Sequence, residues 1–184
     1  MHSFLLCTAI LFTYILTTKL DVDMESYYSR FTYPHVYDIS HHLLPNLESY
    51  AYIPNVYLGL FILYLITSSF VVEFIGFMVP ILIARMILMH LTVLPKTDNA
   101  CMGTDIWGGC YDKIFSGHFS IVFLITLLLW KRNRLSMPIM VCLNGINAFF
   151  ILATRAHYTI DIVVSILVTL YVVQNKLSIP CFHK

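Results

Sequence analysis

The chain has 184 residues, of which 59% are hydrophobic and 11% are Asp, Glu, Lys or Arg, with a net charge of +1 and a mean hydropathy of +0.78. A soluble domain carries about 25% charged residues, so this composition excludes a disordered tail and a soluble interaction module and argues against a soluble enzyme. It offers no basic field for nucleic acid, and the five cysteines are too few for a disulfide scaffold.

A bilayer-spanning helix needs about 20 residues, so six would use about 120 of the chain. Six apolar stretches satisfy that count, and they predict an all-α polytopic membrane protein, a six-transmembrane-helix bundle forming one domain over residues 1–184. The first runs from Phe4 to Thr18 without a charge. It has no basic segment before it and no small-x-small cleavage site, which favours an uncleaved helix over a cleaved signal sequence. The second span covers Pro54 to Val72 and the third Phe74 to Leu94, with Glu73 alone between them. That spacing predicts a helical hairpin turning at Glu73. The fourth runs from Phe115 to Trp130, the fifth from Met137 to Thr154 and the sixth from His157 to Val173.

The connecting segments differ in charge. Those after spans two and four, with the tail after span six, hold Lys131, Arg132, Arg134, Lys176 and Lys184 against one acid, Glu73. Those after spans one, three and five hold the remaining nine acids and an equal five Lys and Arg. The dense Lys131–Arg134 cluster places that loop in the cytoplasm. Both termini are then cytoplasmic, and the Asp-rich loops face a lumen or the outside. Cys101 and Cys110 share one of those loops. An oxidising lumen permits a disulfide between them, and two free thiols are the alternative. Tyr27, Tyr28, Tyr33 and Tyr37 read as an interfacial aromatic belt.

Ionisable groups in a membrane span are costly and mark functional sites. Arg85 lies in span three, His118 at the start of span four, and His157 and Asp161 at the start of span six, with His90 a weaker case. His157 and Asp161 are four residues apart and share a helix face. A carboxylate accepting from one ring nitrogen fixes the tautomer and leaves the other nitrogen a lone pair. Such a histidine can attack an electrophile. Ser116 and Gly117 precede His118, where glycine allows close backbone approach and free helix amides suit a phosphate. His118 then serves as general acid. Arg85, about 14 Å below Leu94 at 1.5 Å per residue, either contacts the phosphate or pairs with an acid. Two His and one Asp without a fourth ligand do not make a zinc set, so neither metal nor cofactor is expected. His157 and Asp161 stand at a helix start outside the packed core, and replacing either is expected to cost little stability.

Four blocks carry a resemblance to a known family. These are Asp38-Ile-Ser-His-His-Leu-Leu-Pro45, then Arg85 with Thr92, Leu94 and Pro95, then Cys110-Tyr-Asp112-Lys-Ile-Phe-Ser116-Gly117-His118, and His157-Tyr158-Thr159-Ile160-Asp161. The sequence resembles the sphingomyelin synthase-related family, within the wider lipid phosphate phosphatase superfamily. The resemblance implies a six-helix enzyme with its active site on the lumenal or outer face, in the Golgi, endoplasmic reticulum or plasma membrane. It implies a catalytic triad of His118, His157 and Asp161, with Arg85, Asp112, Ser116, Gly117 and Tyr158 around the substrate. The activity implied moves a phosphorylated head group from a glycerophospholipid to ceramide and releases diacylglycerol. The donor head group is choline, ethanolamine or inositol; the acceptor is ceramide or diacylglycerol. Arg155-Ala156 stand where sphingomyelin synthases tend to carry His-Asp, and Asn46 where they tend to carry Asp, departures that bear on the choline donor more than on the chemistry. The rival reading is a lipid phosphate phosphatase or a phospholipase C-type hydrolase, with water as acceptor. The phosphatases carry a Lys-x6-Arg-Pro clamp that this sequence lacks. A lipid-binding protein without catalysis is the non-enzymatic alternative.

Overall fold

The computed structural model describes residues 2–28, 30, 36–97, 110–111 and 113–178. Among them the chain forms α1 (His2–Tyr28), α2 (Ile39–Leu43), α3 (Ile53–Ile66), α4 (Val71–Leu91), α5 (Gly117–Lys131), α6 (Met137–Ala153) and α7 (Thr159–Gln174), with a 3-10 turn at Glu48–Tyr50. No strand occurs among the described residues. Each expected span is helical, and α2 is an additional short helix in the first long connection.

Two boundaries differ from the sequence reading. Helix α1 continues past Thr18 to Tyr28, because its charged second half still has tertiary partners. Leu20 packs on Met86 and Met89, and the Tyr28 hydroxyl donates to the Val93 carbonyl at 3.0 Å. The hairpin turns at residues 67–70 and not at Glu73. There Thr67 Oγ1 donates to the Tyr64 carbonyl at 2.9 Å and Ser68 Oγ to the Leu65 carbonyl at 2.7 Å. These hydroxyls satisfy carbonyls that the ending helix leaves without partners. Glu73 falls instead in the first turn of α4, where a carboxylate is favoured by the helix dipole.

Helix α5 is the centre of the bundle. Every residue from Val122 to Leu129 is buried, as expected for a helix that is apolar all round. It packs against α3, α4, α6 and α7. Leu124, Ile125 and Leu128 meet Phe70, Phe77 and Ile81 in the main core. The surrounding helices carry apolar residues on their outward faces too, including Leu60, Leu63, Ile87, Val141, Val163 and Leu167.

Among the described residues two segments, Glu48–Ile66 and Val71–Leu91, are long and apolar enough to cross a membrane. Helices α5, α6 and α7 are apolar but have 15, 17 and 16 residues, or about 22–26 Å at 1.5 Å per residue. Spans four and six start later than expected because Phe115-Ser116 and His157-Tyr158 form irregular turns before α5 and α7. Those turns carry Ser116, His157 and Tyr158, and His118 and Asp161 follow in the first turns of α5 and α7.

The two ends of the bundle are chemically distinct. At one end Arg132 donates to the Glu73 carboxylate and lies 5.2 Å from the Phe70 ring centre. The other end gathers the starts of α3, α5 and α7 with the ends of α4 and α6. There the Leu47 amide donates to the Ala153 carbonyl at 2.8 Å, and every candidate catalytic residue lies there.

Leu124→Ala, at a fully buried position of α5, should destabilise the protein by about 2–5 kcal/mol through the cavity it leaves. Leu167→Ala, at a 61% exposed position of α7, should change stability by less than about 1 kcal/mol. Thermal unfolding of both variants in the same detergent checks the difference.

Candidate active site

The site is built on two helix starts locked together. Helix α7 opens with a capping box, in which the Asp161 side chain accepts from the Tyr158 amide at 3.0 Å. The same oxygen, Oδ2, accepts from His157 Nδ1 at 2.8 Å. The other oxygen, Oδ1, accepts from the Ile114 amide at 2.8 Å. That last bond reaches the turn leading into α5, and two residues later the Ser116 amide donates to Ser165 Oγ at 2.9 Å. Ser165 in turn donates to the Asp161 carbonyl at 2.7 Å. One carboxylate thus orients a histidine, starts a helix and holds the approach to a second helix.

This corrects one expectation. The sequence puts Asp161 outside the packed core, but the structure buries it completely and His157 to 5% exposure. Removing the carboxylate strands buried donors, which costs about 1–3 kcal/mol each. The turn it holds is also strained: Ile114 has φ 76°, a left-handed backbone that a β-branched residue rarely adopts. The bond from its amide to Asp161 offsets that strain.

The remaining predicted residues fall as follows. His118 sits in the first turn of α5 with Nε2 donating to Asn55 Oδ1 of α3 at 2.6 Å. Arg85 is buried in α4. Its guanidinium lies against the start of α5, since a methyl added to Gly117 would stand 3.6 Å from Arg85 Nε and 3.9 Å from Cζ. The Arg85 guanidinium thus stands beside the start of α5. Ser116 is fully buried and caps α5 by accepting from the Phe119 amide at 3.3 Å. Tyr158 packs its ring on His41, with ring centres 5.5 Å apart, and its hydroxyl donates to the Pro95 carbonyl at 3.1 Å. Both act first as struts of the site. His90 Nδ1 bonds the Met86 carbonyl within its own helix at 2.8 Å and stands apart from the site. Asp112 lies outside the described residues, as do Cys101 and Tyr33. Cys110 is disulfide-bonded. Tyr28 stacks on Tyr111, with ring centres 5.3 Å apart, while Tyr27 and Tyr37 are exposed.

Sequence reasoning missed the clamp that holds the turn before α7. Asp38 caps α2 through the Ser40 and His41 amides and also accepts from the Thr159 amide at 2.7 Å and the Thr159 hydroxyl at 2.8 Å. His41 Nε2 donates to the His157 carbonyl at 2.9 Å. Arg155, with φ 59°, donates to the His41 and Leu44 carbonyls at 2.8 and 3.2 Å. Lys113 Nζ donates to the Ala156 carbonyl at 2.7 Å, and Thr97 Oγ1 donates to the Arg155 carbonyl. Residues 38–44 thereby fix the backbone on which His157 stands. Arg155, one of the departures from the sphingomyelin synthase pattern, has this structural use. The Asp38–Pro45 block carried part of the family resemblance, but nothing in it pointed to contacts with the turn before α7.

Partial burial pushes the Asp38 carboxyl upward, but hydrogen bonds from the Ser40 hydroxyl, the Thr159 amide and hydroxyl and the His41 amide outweigh it and lower its pKa from 3.8 to about 2. A depressed carboxylate contributes stability above its unfolded pKa and loses it as pH falls through the folded one. Asp38→Ala should therefore lower stability by about 1–2 kcal/mol at neutral pH, as loss of a cap does. The gap to the parent protein should hold down to about pH 4 and shrink as pH falls towards 2. Parallel thermal melts across that range measure it.

Among the described residues no group of three or more His, Cys, Asp or Glu side chains is placed to hold a metal ion. The model of the PAP2 superfamily C-terminal region matches residues 109–176. That stretch contains α5, α6 and α7 and includes Ser116, Gly117, His118, His157 and Asp161. The match supports the lipid phosphate phosphatase superfamily. No curated protein matches the chain.

Proposed function

We propose that the protein is an integral membrane sphingolipid synthase, its single domain spanning residues 1–184 as a six-helix membrane bundle. It transfers a phosphorylated head group from a glycerophospholipid to ceramide and releases diacylglycerol. The PAP2 superfamily match supports the coarser part of this reading, a lipid-modifying enzyme of the phosphoryl-transfer and hydrolase type. The apolar outward faces of α3, α4, α6 and α7 support a lipid surround, since soluble proteins rarely expose contiguous apolar patches of that extent. The site end of the bundle carries the Asp38 carboxylate and the opposite end Arg132, which supports a lumenal or outer active site and cytoplasmic termini.

The observation that carries the reading is the buried His157–Asp161 pair at 2.8 Å. With Nδ1 committed to the carboxylate, Nε2 bears the lone pair, and it makes no hydrogen bond to any described residue. His157 Nε2 attacks the donor phosphorus, and the bond from phosphorus to the diacylglycerol oxygen breaks. His118 gives that oxygen a proton. Asp161 stabilises the imidazolium character that develops on His157. The ceramide hydroxyl then attacks the phosphohistidine diester, His118 takes its proton, and the phosphorus–nitrogen bond breaks. A direct displacement, with His157 as base for ceramide, uses the same residues. Arg85, beside the start of α5, neutralises the phosphate together with the helix amides.

The superfamily match favours a second reading with the same triad, in which water replaces ceramide and the protein is a hydrolase. One experiment separates them. The purified protein is reconstituted into vesicles with labelled ceramide and, in separate samples, phosphatidylcholine, phosphatidylethanolamine or phosphatidylinositol. A labelled phosphosphingolipid in one sample establishes the transferase and names its donor. Released phosphate or head-group phosphate, with no such product, establishes the hydrolase. Arg85→Ala should raise the KM for the donor by roughly tenfold or more, the value of one charge-assisted hydrogen bond. Unchanged kinetics in that variant would assign Arg85 a purely structural role.

A further inference from the structure

We propose that the face formed by α3, α6 and α7 fits a hydrocarbon layer thinner than an ordinary bilayer, and that this fit sets His157 at the level of the lipid phosphates. The proposal rests on the membrane-embedded, catalytic reading above. A typical hydrocarbon core is about 30 Å thick. Helices α3, α6 and α7 have 14, 17 and 16 residues, or about 21–26 Å at 1.5 Å per residue. Tilting a helix shortens its reach further. Helix α4 has 21 residues, about 32 Å, and α1 packs on it. The bundle is therefore tall along α1 and α4 and short along α3, α6 and α7.

The outward side chains repeat this measure. On α7 the exposed apolar residues run from Ile160 to Tyr171, and on α6 from Met137 to Phe149, about 17 and 18 Å of helix. On α3 the exposed Tyr52 and Tyr64 stand about 18 Å apart along the axis. Tyrosine collects at both membrane–water boundaries, so this pair marks the two edges of one layer. Tyr64 lies 6.4 Å from Phe70 between ring centres, the ring that Arg132 covers. Trp130 and Tyr171, both exposed, close α5 and α7 at the same end. Beyond the edges come the exposed Lys131, Arg132, Arg134 and Lys176 on one side and Asn46 and Ser49 on the other. His157 stands in the turn immediately before α7, three residues ahead of Ile160. An edge at Ile160 puts lipid phosphates beside it. A thicker layer, matched to α4, would raise the head groups above that turn.

The test is a series of vesicles made of phosphatidylglycerol, a head group outside the candidate donors, with monounsaturated chains of 14 to 22 carbons. Ceramide and labelled phosphatidylcholine, phosphatidylethanolamine or phosphatidylinositol are added in fixed trace amounts, one donor to a sample. The parent protein and His157→Ala are reconstituted in each host, and thermal unfolding and head-group release are both measured. The unfolding midpoint and the turnover should be highest at 14–16 carbons, with turnover lower by roughly threefold or more at 22, because a short apolar face is penalised for each ångström of excess thickness. A midpoint and turnover that stay level along the series, or that peak at 20–22 carbons, would overturn the proposal. An active parent beside an inactive His157→Ala would still leave the catalytic reading standing. A short-chain maximum in the midpoint with level turnover would overturn the placement of His157 at the phosphates. Folded protein that releases no head group in any host would overturn the catalytic reading, while the midpoints would still decide the fit of the face. Failure to enter any of the vesicles would overturn both.

Discussion

The Asp161 carboxylate is the interaction on which the site end of the bundle depends. It is fully buried and takes hydrogen bonds from His157 Nδ1, the Tyr158 amide and the Ile114 amide. A buried carboxylate is costly unless such donors surround it. Here those donors are the start of α7, a catalytic candidate and the turn into α5. Satisfying the charge and assembling the site are one event. The strained Ile114 backbone is tolerable only while its amide has that partner, so the geometry around α5 inherits its precision from Asp161.

Beyond this point the structure works by layers of support. Asp38, His41 and Arg155 hold the turn before α7 from outside, and Lys113 and Thr97 hold it from the segments flanking the loop between α4 and α5. Ser165 closes the floor between α5 and α7. Such a turn has few regular backbone bonds of its own, and its polar groups need partners as any buried backbone does. The result is that a histidine on irregular chain is held by side chains from several elements. Positioning of this kind is what phosphoryl transfer by a paired acid and nucleophile requires.

Much of the architecture was legible in the sequence because apolar runs and their charged flanks act locally. The spans at 74–94, 115–130, 137–154 and 157–173 correspond to α4, α5, α6 and α7 within a few residues at each boundary. The hairpin was misplaced because Glu73 looked like an interruption, whereas hydroxyl side chains at Thr67 and Ser68 end α3 and a carboxylate is at home in a helix's first turn. The His157–Asp161 contact was expected on a shared helix face, and the pair does meet, but His157 lies before the N-cap Tyr158 and Asp161 reaches back to it from the first turn of α7. The Asn55 contact with His118 was not expected, since the two are 63 positions apart, although a polar residue near the start of an apolar span is itself a signal. Asp38 and Arg155 act across 121 and 114 positions, and only the fold reveals such pairs.

The central claim is that His157, oriented by Asp161, is the reacting group. The most direct measurement is turnover of purified His157→Ala and Asp161→Asn in lipid vesicles, beside the parent protein and with thermal unfolding as a check of folding. Asp161→Asn preserves shape but removes the charge beside His157 and turns one of two accepting oxygens into a donor, so the ring loses the carboxylate that fixes its tautomer while most of the packing stays. The account predicts no detectable turnover in His157→Ala and a loss of at least about a hundredfold in Asp161→Asn, with both proteins folded. Substantial turnover in folded His157→Ala would contradict it.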